Sequence, residues 1–155
     1  MDLHEEIDDA LEDLATNLPR EARLSLLNGL EDRFTRNRFE RGYLEGRLGR
    51  LVDLLPQETD LVVRAQMFRV LERALSVHGA LVDVSLDALV PYLDESDPAF
   101  IAGALLLIAK NGDRKYLPLV ARYRGHANAI VSANAEYAWK YMEGDGRSDG
   151  GVSGG

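Results

Sequence analysis

The chain has 155 residues, no cysteine and a formal net charge of −8 at pH 7. Its length suits one domain with a substantial hydrophobic core, and the lack of cysteine excludes disulfides, thiolate catalysis and cysteine-ligated metal sites. The excess of acidic groups disfavours nucleic acid and anionic membranes as partners, because phosphate groups are held mainly by Lys and Arg. An acidic N-terminus without a signal-peptide pattern and the absence of a long apolar run predict a cytoplasmic protein.

Apolar residues recur at helical spacing from the start of the chain. The first stripe predicts a helix that ends at Pro19, and it consists of Leu3, Ile7, Leu11, Leu14 and Leu18. A second helix is predicted over 20–34 and a third over 40–55, where Pro56 stops it. We interpret residues 1–40 as atypical cap helices that precede a repetitive region.

Cap and stop residues place the remaining helices. A long helix is predicted to begin at Thr59 or Asp60, and shorter ones are predicted over 85–93 and 114–123. Asp97-Pro98 is a helix start signal, and Asn128 caps a last helix that we expect to end near Met142. No segment alternates with period two, so the sequence predicts an all-α domain over 1–143 and a flexible Gly/Ser-rich tail over 144–155.

One register of residues occurs three times, counted from Asp60, Asp97 and Asn128. Apolar residues at plus three and plus eleven are expected to face the core; they are Val63, Phe100, Val131, Leu71, Ile108 and Trp139. Small residues at plus five are expected to let paired helices approach, and they are Ala65, Ala102 and Ala133. Polar anchors that are 37 and then 31 residues apart fall within the period of stacked helix pairs.

The run over 89–113 resembles a HEAT-like repeat, in which Asp97-Pro98 opens the second helix of a pair and Gly112-Asp113 follows it. Residues 60–65 and 128–133 look like further copies, and Arg64 stands where such repeats often carry arginine. The resemblance covers about 44–142. It implies a short α-solenoid, a right-handed superhelix of antiparallel helix pairs. It also implies a scaffold that binds proteins along a concave face, although some relatives handle bilin chromophores and others recognise damaged DNA.

No pattern of reactive side chains stands out in the sequence. The three histidines, His4, His78 and His126, are far apart and lack metal-ligand spacing. There is no glycine-rich phosphate loop and no nucleophile motif. The sequence therefore predicts a protein that is not an enzyme, with no catalytic residues, no cofactor and no metal.

The charges are distributed unevenly along the chain. Residues 1–17 hold seven acids and no Lys or Arg, whereas residues 33–50 hold six Arg and two Glu. These segments either pair with each other in the fold or present a charged patch to a partner. Gly42, Gly46 and Gly49 lie in the Arg-rich helix, where they indicate either close approach of a neighbouring helix or ligand, or a weakly formed segment.

Together these features favour a protein–protein interaction module, or adaptor, that binds a protein partner on a concave helical face. A specific form of the hypothesis is an acidic inhibitor or immunity-type protein that masks a basic target. The candidate partner-binding residues are Arg64, Tyr137, Tyr141, Arg41, Arg47, Asp94 and Glu95. Two alternatives stay open: a HEAT-like enzyme or chromophore-handling, lyase-like protein, and a structural subunit that oligomerises through the Gly/Arg helix.

Overall fold

A computed structural model describes residues 2–79 and 82–154, with side chains for all of them except Glu95 and residues 145–154. Over these residues the chain is helical and forms no strand, which confirms the predicted all-α class. The α-helices are α1 (Leu3–Leu14), α2 (Arg20–Arg36), α3 (Arg41–Leu54), α4 (Leu61–His78), α5 (Pro98–Asn111), α6 (Leu117–Tyr123) and α7 (Ala129–Gly154). Short 3₁₀ helices span Leu55–Gln57, Asp87–Glu95 and Arg114–Tyr116.

Three elements differ from the sequence prediction. The segment near 85–93 is a 3₁₀ helix over Asp87–Glu95, and Pro91 inside it disfavours an α-helix because the proline ring clashes with the carbonyl four residues earlier. The predicted helix over 114–123 is divided into a 3₁₀ turn and α6, which has a proline in its first turn. Helix α7 continues to Gly154, past its predicted end near Met142.

The chain divides into two compact units, Met1–Tyr92 and Leu93–Gly155, and the division falls inside the 3₁₀ helix over Asp87–Glu95. In the first unit α2 packs on α4, α1 packs on α2 and α3, and α3 packs on α4. In the second unit α7 packs on both α5 and α6. A single repeat domain over 1–143 and the flexibility of 144–155 stay predictions.

The three residues that open the repeated register are helix N-caps. The Asp60 carboxylate accepts hydrogen bonds from the backbone N–H groups of Val62 and Val63, at 3.0 and 3.3 Å. Asp97 accepts one from Phe100 at 3.0 Å, and Asn128 caps α7 in the same way. These bonds satisfy N–H groups that have no partner within the helix, so each element begins where the sequence predicts.

Burial follows the register at plus three but not at plus five. Val63, Phe100 and Val131 are all buried, and so are Leu71 and Ile108 at plus eleven. Trp139 is only half-buried, with the Arg124 guanidinium 4.6 Å above its ring, so the expected core role is wrong there. Ala102 is buried, but the expectation that all three plus-five alanines lie between helices is wrong, because Ala65 and Ala133 are exposed.

The three glycines of α3 face open space. For the described residues, a Cβ added at Gly42, Gly46 or Gly49 would meet no atom within 4 Å. The expectation that a neighbouring helix approaches closely over this strip is therefore wrong for these residues. Within the described parts of the chain, no helix is both long enough and apolar enough to cross a bilayer.

Candidate functional site

Helices α2 and α4 form an exposed apolar groove in the first unit, here called the α2–α4 groove. Its volume is about 650 Å³, and its lining residues are Leu24, Asn28, Leu61, Val62, Ala65, Gln66 and Arg69. The side chains of Leu61 and Val62 are 62% and 47% exposed, although both are large and aliphatic. The groove therefore presents aliphatic carbon to solvent between two packed helices.

The groove exists because α4 is apolar on more than one face. At 100° per residue, the five lining residues that belong to α4 fall within about 140° of the helix circumference, and they are Leu61, Val62, Ala65, Gln66 and Arg69. Val63, Met67 and Val70 form the separate buried face of the same helix. Ala65 has a short side chain, so it forms a low floor between the larger groups.

A polar network fixes one rim of the groove. Gln66 Nε2 donates to Asn28 Oδ1 at 2.9 Å and to Glu31 Oε1 at 3.2 Å. Arg69 Nε lies 3.4 Å from Glu31, and Arg73 Nε lies 3.7 Å from the same carboxylate. The Glu31 side chain is only 16% exposed, whereas both arginines are exposed. Two guanidinium groups thus share a single carboxylate.

The opposite end of the groove is held by one ion pair. Arg20 Nε donates to Asp60 Oδ2 at 2.8 Å, while Asp60 Oδ1 caps α4. The hydrogen bond from Arg20 is the main reason that the pKa of Asp60 lies below its usual value. Next to it, Arg23 pairs with Glu58 and donates to the carbonyl oxygens of Leu14 and Thr16 at 3.0 Å.

A second exposed apolar face, here called the α7 stripe, lies on the last helix in the second unit. It consists of Ile130, Ala133, Tyr137 and Tyr141, and Ile130 is 65% exposed. Both tyrosines are exposed, and their ring centroids are 5.7 Å apart. Lys110 Nζ lies 5.5 Å from the Tyr141 ring.

The acidic first helix pairs partly with the Arg-rich segment. Asp8 accepts hydrogen bonds from Arg47 Nε and Nη2 at 2.8 and 3.1 Å, and Glu6 pairs with Arg33 at 3.3 Å. Hydrogen bonding from Arg47 is the largest cause that lowers the pKa of Asp8. Four other acids of this helix are exposed, and they are Glu5, Asp9, Glu12 and Asp13. The first helix therefore has both a paired side and an exposed side.

Tyr43 connects the paired side to an aromatic cluster. Its hydroxyl donates to Asp8 at 3.1 Å, and its ring lies between the His4 imidazole, 3.9 Å away, and the Arg47 guanidinium, 4.0 Å away. Burial is the main reason that the pKa of Tyr43 is raised. These contacts give Arg47 a role within the first unit.

The other predicted binding residues lie in different environments. Arg64 is only 9% exposed. A residue that contacts a partner directly was expected on an open surface, and Arg64 is not on one. Arg41 is exposed and bonded to Glu45 at 2.8 Å. Asp94 accepts hydrogen bonds from Tyr123 Oη at 2.7 Å and from Arg122, and the side chain of Glu95 lies outside the described residues.

The Asp94–Tyr123 contact affects both groups. The hydrogen bond from Tyr123 is the largest cause that lowers the pKa of Asp94, followed by the one from Arg122. Burial, together with this hydrogen bond to Asp94, raises the pKa of Tyr123 to about 12. Tyr123 therefore remains a neutral donor throughout the ordinary pH range, which is the protonation state that this contact requires.

Sequence reasoning missed the aliphatic residues that form the α2–α4 groove. A signal was present, because Leu61-Val62-Val63 is a run of three large apolar residues in the first turn of a helix. Successive helix residues are about 100° apart, so the three cannot all face one core. Ala129-Ile130-Val131 carries the same signal at the start of α7.

No family model, no curated protein and no solved structure matches this chain significantly. The HEAT-like resemblance therefore stays a prediction. In the described part of the chain, no three His, Asp or Glu side chains are grouped so that they could hold a metal ion.

Proposed function

We propose that this protein is a helical interaction module that binds an apolar segment of a partner protein in the α2–α4 groove. The observation that carries the proposal is the exposure of Leu61 and Val62, side by side, above the Ala65 floor. Large aliphatic groups grouped on an open helix face mark interaction surfaces more often than single exposed ones do. The bound segment is most simply an amphipathic helix, since such helices dock into grooves through apolar anchors.

The energetics support this use of the groove. Full burial of a Leu or Val side chain is worth about 1.5–3 kcal/mol, so covering two half-exposed ones together contributes about 1.5–3 kcal/mol. The polar rim consists of Asn28, Gln66 and Arg69, and it can fix the position of a bound segment that lies over the aliphatic centre of the groove. A volume of about 650 Å³ accommodates several side chains.

The finer architecture belongs to the same proposal. A short solenoid of HEAT-like helix pairs is supported by three N-caps in one register and by buried residues at plus three in each copy. In such a repeat the second helix of each pair, which begins after Asp60, Asp97 or Asn128, would line the concave binding face. The exposed apolar residues of α4 and α7 are consistent with that assignment.

The test uses two variants of the same helix. Val62→Asp places a charge in the groove, whereas Val77→Asp places one at an equally exposed valine about 22 Å farther along α4. A displayed library of random peptides of about 18 residues, long enough for five helical turns, is the probe. Peptides selected on the wild-type protein should bind the Val77→Asp variant and fail to bind the Val62→Asp variant. Selected peptides that bind all three proteins equally would overturn the proposal.

A second candidate function uses the exposed side of α1. Asp9, Glu12 and Asp13 could mask a basic partner, as an acidic inhibitor or immunity-type protein does. The exposure of these three carboxylates favours it, but the helix offers no exposed large apolar anchor beside them in the described residues. Charge reversal of α1 distinguishes this function from groove binding.

A further inference from the structure

We infer that the helix bound in the α2–α4 groove carries a carboxamide side chain, from Gln or Asn, one turn away from its apolar anchor. The inference rests on the proposed function, and it specifies the polar group by which the partner is recognised. It follows from the hydrogen bonds at the rim of the groove. These bonds leave one donor and one acceptor open on two side chains that are bonded to each other.

The hydrogen bonds at the rim fix which way each amide points. An ionised carboxylate can only accept hydrogen bonds, so Gln66 turns its Nε2 group towards Glu31 Oε1, at 3.2 Å. The same Nε2 group donates to Asn28 Oδ1 at 2.9 Å. Because Asn28 presents its oxygen to this donor, its Nδ2 group points elsewhere. One mostly buried carboxylate thus sets the orientation of both amides.

Two polar groups of this network stay open. Within the part of the chain that the structure describes, Gln66 Oε1 and Asn28 Nδ2 form no hydrogen bond with another protein group. Both side chains line the groove, and Asn28 is exposed. A segment that covers them shields both groups from solvent. It must therefore supply one donor and one acceptor, because a polar group that is covered and left unpaired costs affinity.

A carboxamide meets both requirements. Its NH₂ group can donate to Gln66 Oε1 while its oxygen accepts from Asn28 Nδ2. A carboxylate would have no donor for Gln66, and an ammonium group would have no acceptor for Asn28. The backbone of a helical partner cannot replace the side chain, because its N–H and C=O groups are already bonded within the helix.

The charges at this rim do not select the partner. Arg69 and Arg73 both approach Glu31, at 3.4 and 3.7 Å. Glu72 lies three residues after Arg69 on the same side of α4. Two positive and two negative groups therefore balance each other. The open amide groups, and not a net charge, distinguish one apolar helix from another.

The geometry of α4 sets the spacing in the partner. Gln66 is four residues after Val62, so the two side chains project from the same side of the helix, about 6 Å apart along its axis. A partner helix that packs along α4 has the same rise per residue. Its carboxamide must then lie three or four positions from the residue that covers Val62. Gln should occur there more often than Asn, because it is the better helix former.

The experiment starts from peptides of the displayed library that bind the wild-type protein and fail to bind the Val62→Asp variant. These peptides should be enriched in Gln or Asn three or four positions from an apolar anchor. Asn28→Asp removes the open donor and keeps the oxygen that accepts from Gln66. It should weaken binding about three- to ten-fold, the effect of one lost hydrogen bond. Asn17→Asp makes the same change at an exposed residue outside the groove and should leave the affinity unchanged.

A change in the peptide completes a double-mutant cycle. Replacing the peptide Gln by Met keeps the length of the side chain but removes its donor and its acceptor. This change should weaken binding to the wild-type protein more than binding to the Asn28→Asp variant, because the variant already lacks one of the two hydrogen bonds. Losses that simply add would show that the carboxamide does not contact Asn28 and would overturn the inference.

The other outcomes separate the inference from the proposed function. Peptides that need Val62 but carry an acid, an amine, a hydroxyl or an apolar group at those positions would overturn the carboxamide inference and leave the proposed function standing. A selection that yields no Val62-dependent peptide would overturn the proposed function and the inference with it. Thermal unfolding of each variant establishes that a lost interaction does not reflect a lost fold.

Discussion

Val62 and Ile130 hold the same place in two helices. Each is the second residue after an N-cap, and its backbone N–H donates to that cap's side chain, at 3.0 Å to Asp60 and 2.9 Å to Asn128. Each is also exposed, while the residue that follows it is fully buried. The first turn of both helices thus presents one aliphatic group to the core and the neighbouring one to solvent. We interpret the solvent-facing group as part of a binding surface.

The first prediction separates folding from binding within one helix. Leu71→Ala should lower the free energy of unfolding by about 2–5 kcal/mol, because Leu71 is fully buried in α4. Leu61→Ala in the same helix should change it by less than about 0.5 kcal/mol. Denaturant titration of both variants provides the measurement. Equal losses would mean that Leu61 serves the core and is not available to a partner.

The second prediction concerns the cap of α5. Asp97→Ala removes the acceptor for the Phe100 N–H and should cost about 0.5–2 kcal/mol of stability. Asp97→Asn keeps a side-chain oxygen that can accept the same bond, so it should leave stability nearly unchanged. Thermal unfolding of the three proteins measures the difference. A loss with Asn as large as the loss with Ala would argue that the charge, and not the cap, matters.

The third prediction is a pH dependence at Asp8. Its pKa is lower in the folded protein because Arg47 hydrogen-bonds to the carboxylate, so the folded state favours the charged form. The resulting stability is present above the unfolded pKa of about 4 and is lost as the pH falls through the folded pKa. Asp8→Asn should therefore destabilise the protein at pH 7, and the effect should be smaller near pH 2 than at pH 7.

The control for this measurement is the neighbouring residue. Asp9 is exposed, so Asp9→Asn should change the unfolding free energy very little at either pH. Chemical denaturation at both pH values compares the two variants. An Asp8 effect that is the same at pH 7 and pH 2 would show that the carboxylate charge does not contribute through Arg47.

The fourth prediction distinguishes the groove from the acidic side of α1. Replacing Asp9, Glu12 and Asp13 by Lys changes the net charge from −8 to −2, since each of the three reversals adds two units. If the partner segment binds in the α2–α4 groove, this change should not lower the association rate, because none of the three replaced residues lines the groove. Stopped-flow experiments with a peptide selected on the wild-type protein measure the association rate. A marked fall in the rate would instead favour α1 as the recognition surface.

The helices were predictable where local chemistry decides them. Asp60, Asp97 and Asn128 begin helices because their short side chains accept first-turn N–H groups, a property that depends on nearby residues alone. The buried positions at plus three follow from helical periodicity. Pro91 also carried a local signal, because a proline inside a short predicted helix disrupts regular α-helical hydrogen bonding.

The candidate site was harder to predict because it depends on which helix faces are covered. Ala65 could lie between helices or on the surface, and only the packing of α2 on α4 decides that it is exposed. Arginine is usually a surface residue, yet the position of Arg64 in α4 leaves it buried. The sharing of Glu31 by Arg69 and Arg73 joins residues 38 and 42 positions apart, so no local pattern reveals it.

Groove binding is tested most directly by titrating the isotopically labelled protein with a peptide selected on the wild-type protein and recording the backbone amide chemical shifts. If the peptide binds in the α2–α4 groove, the largest changes should fall on α4 over 61–69 and on α2 near Leu24 and Asn28, the two sides of the groove. Residues of α1 should change little. Largest shifts on α1, with the α4 amides unaffected at saturation, would contradict groove binding.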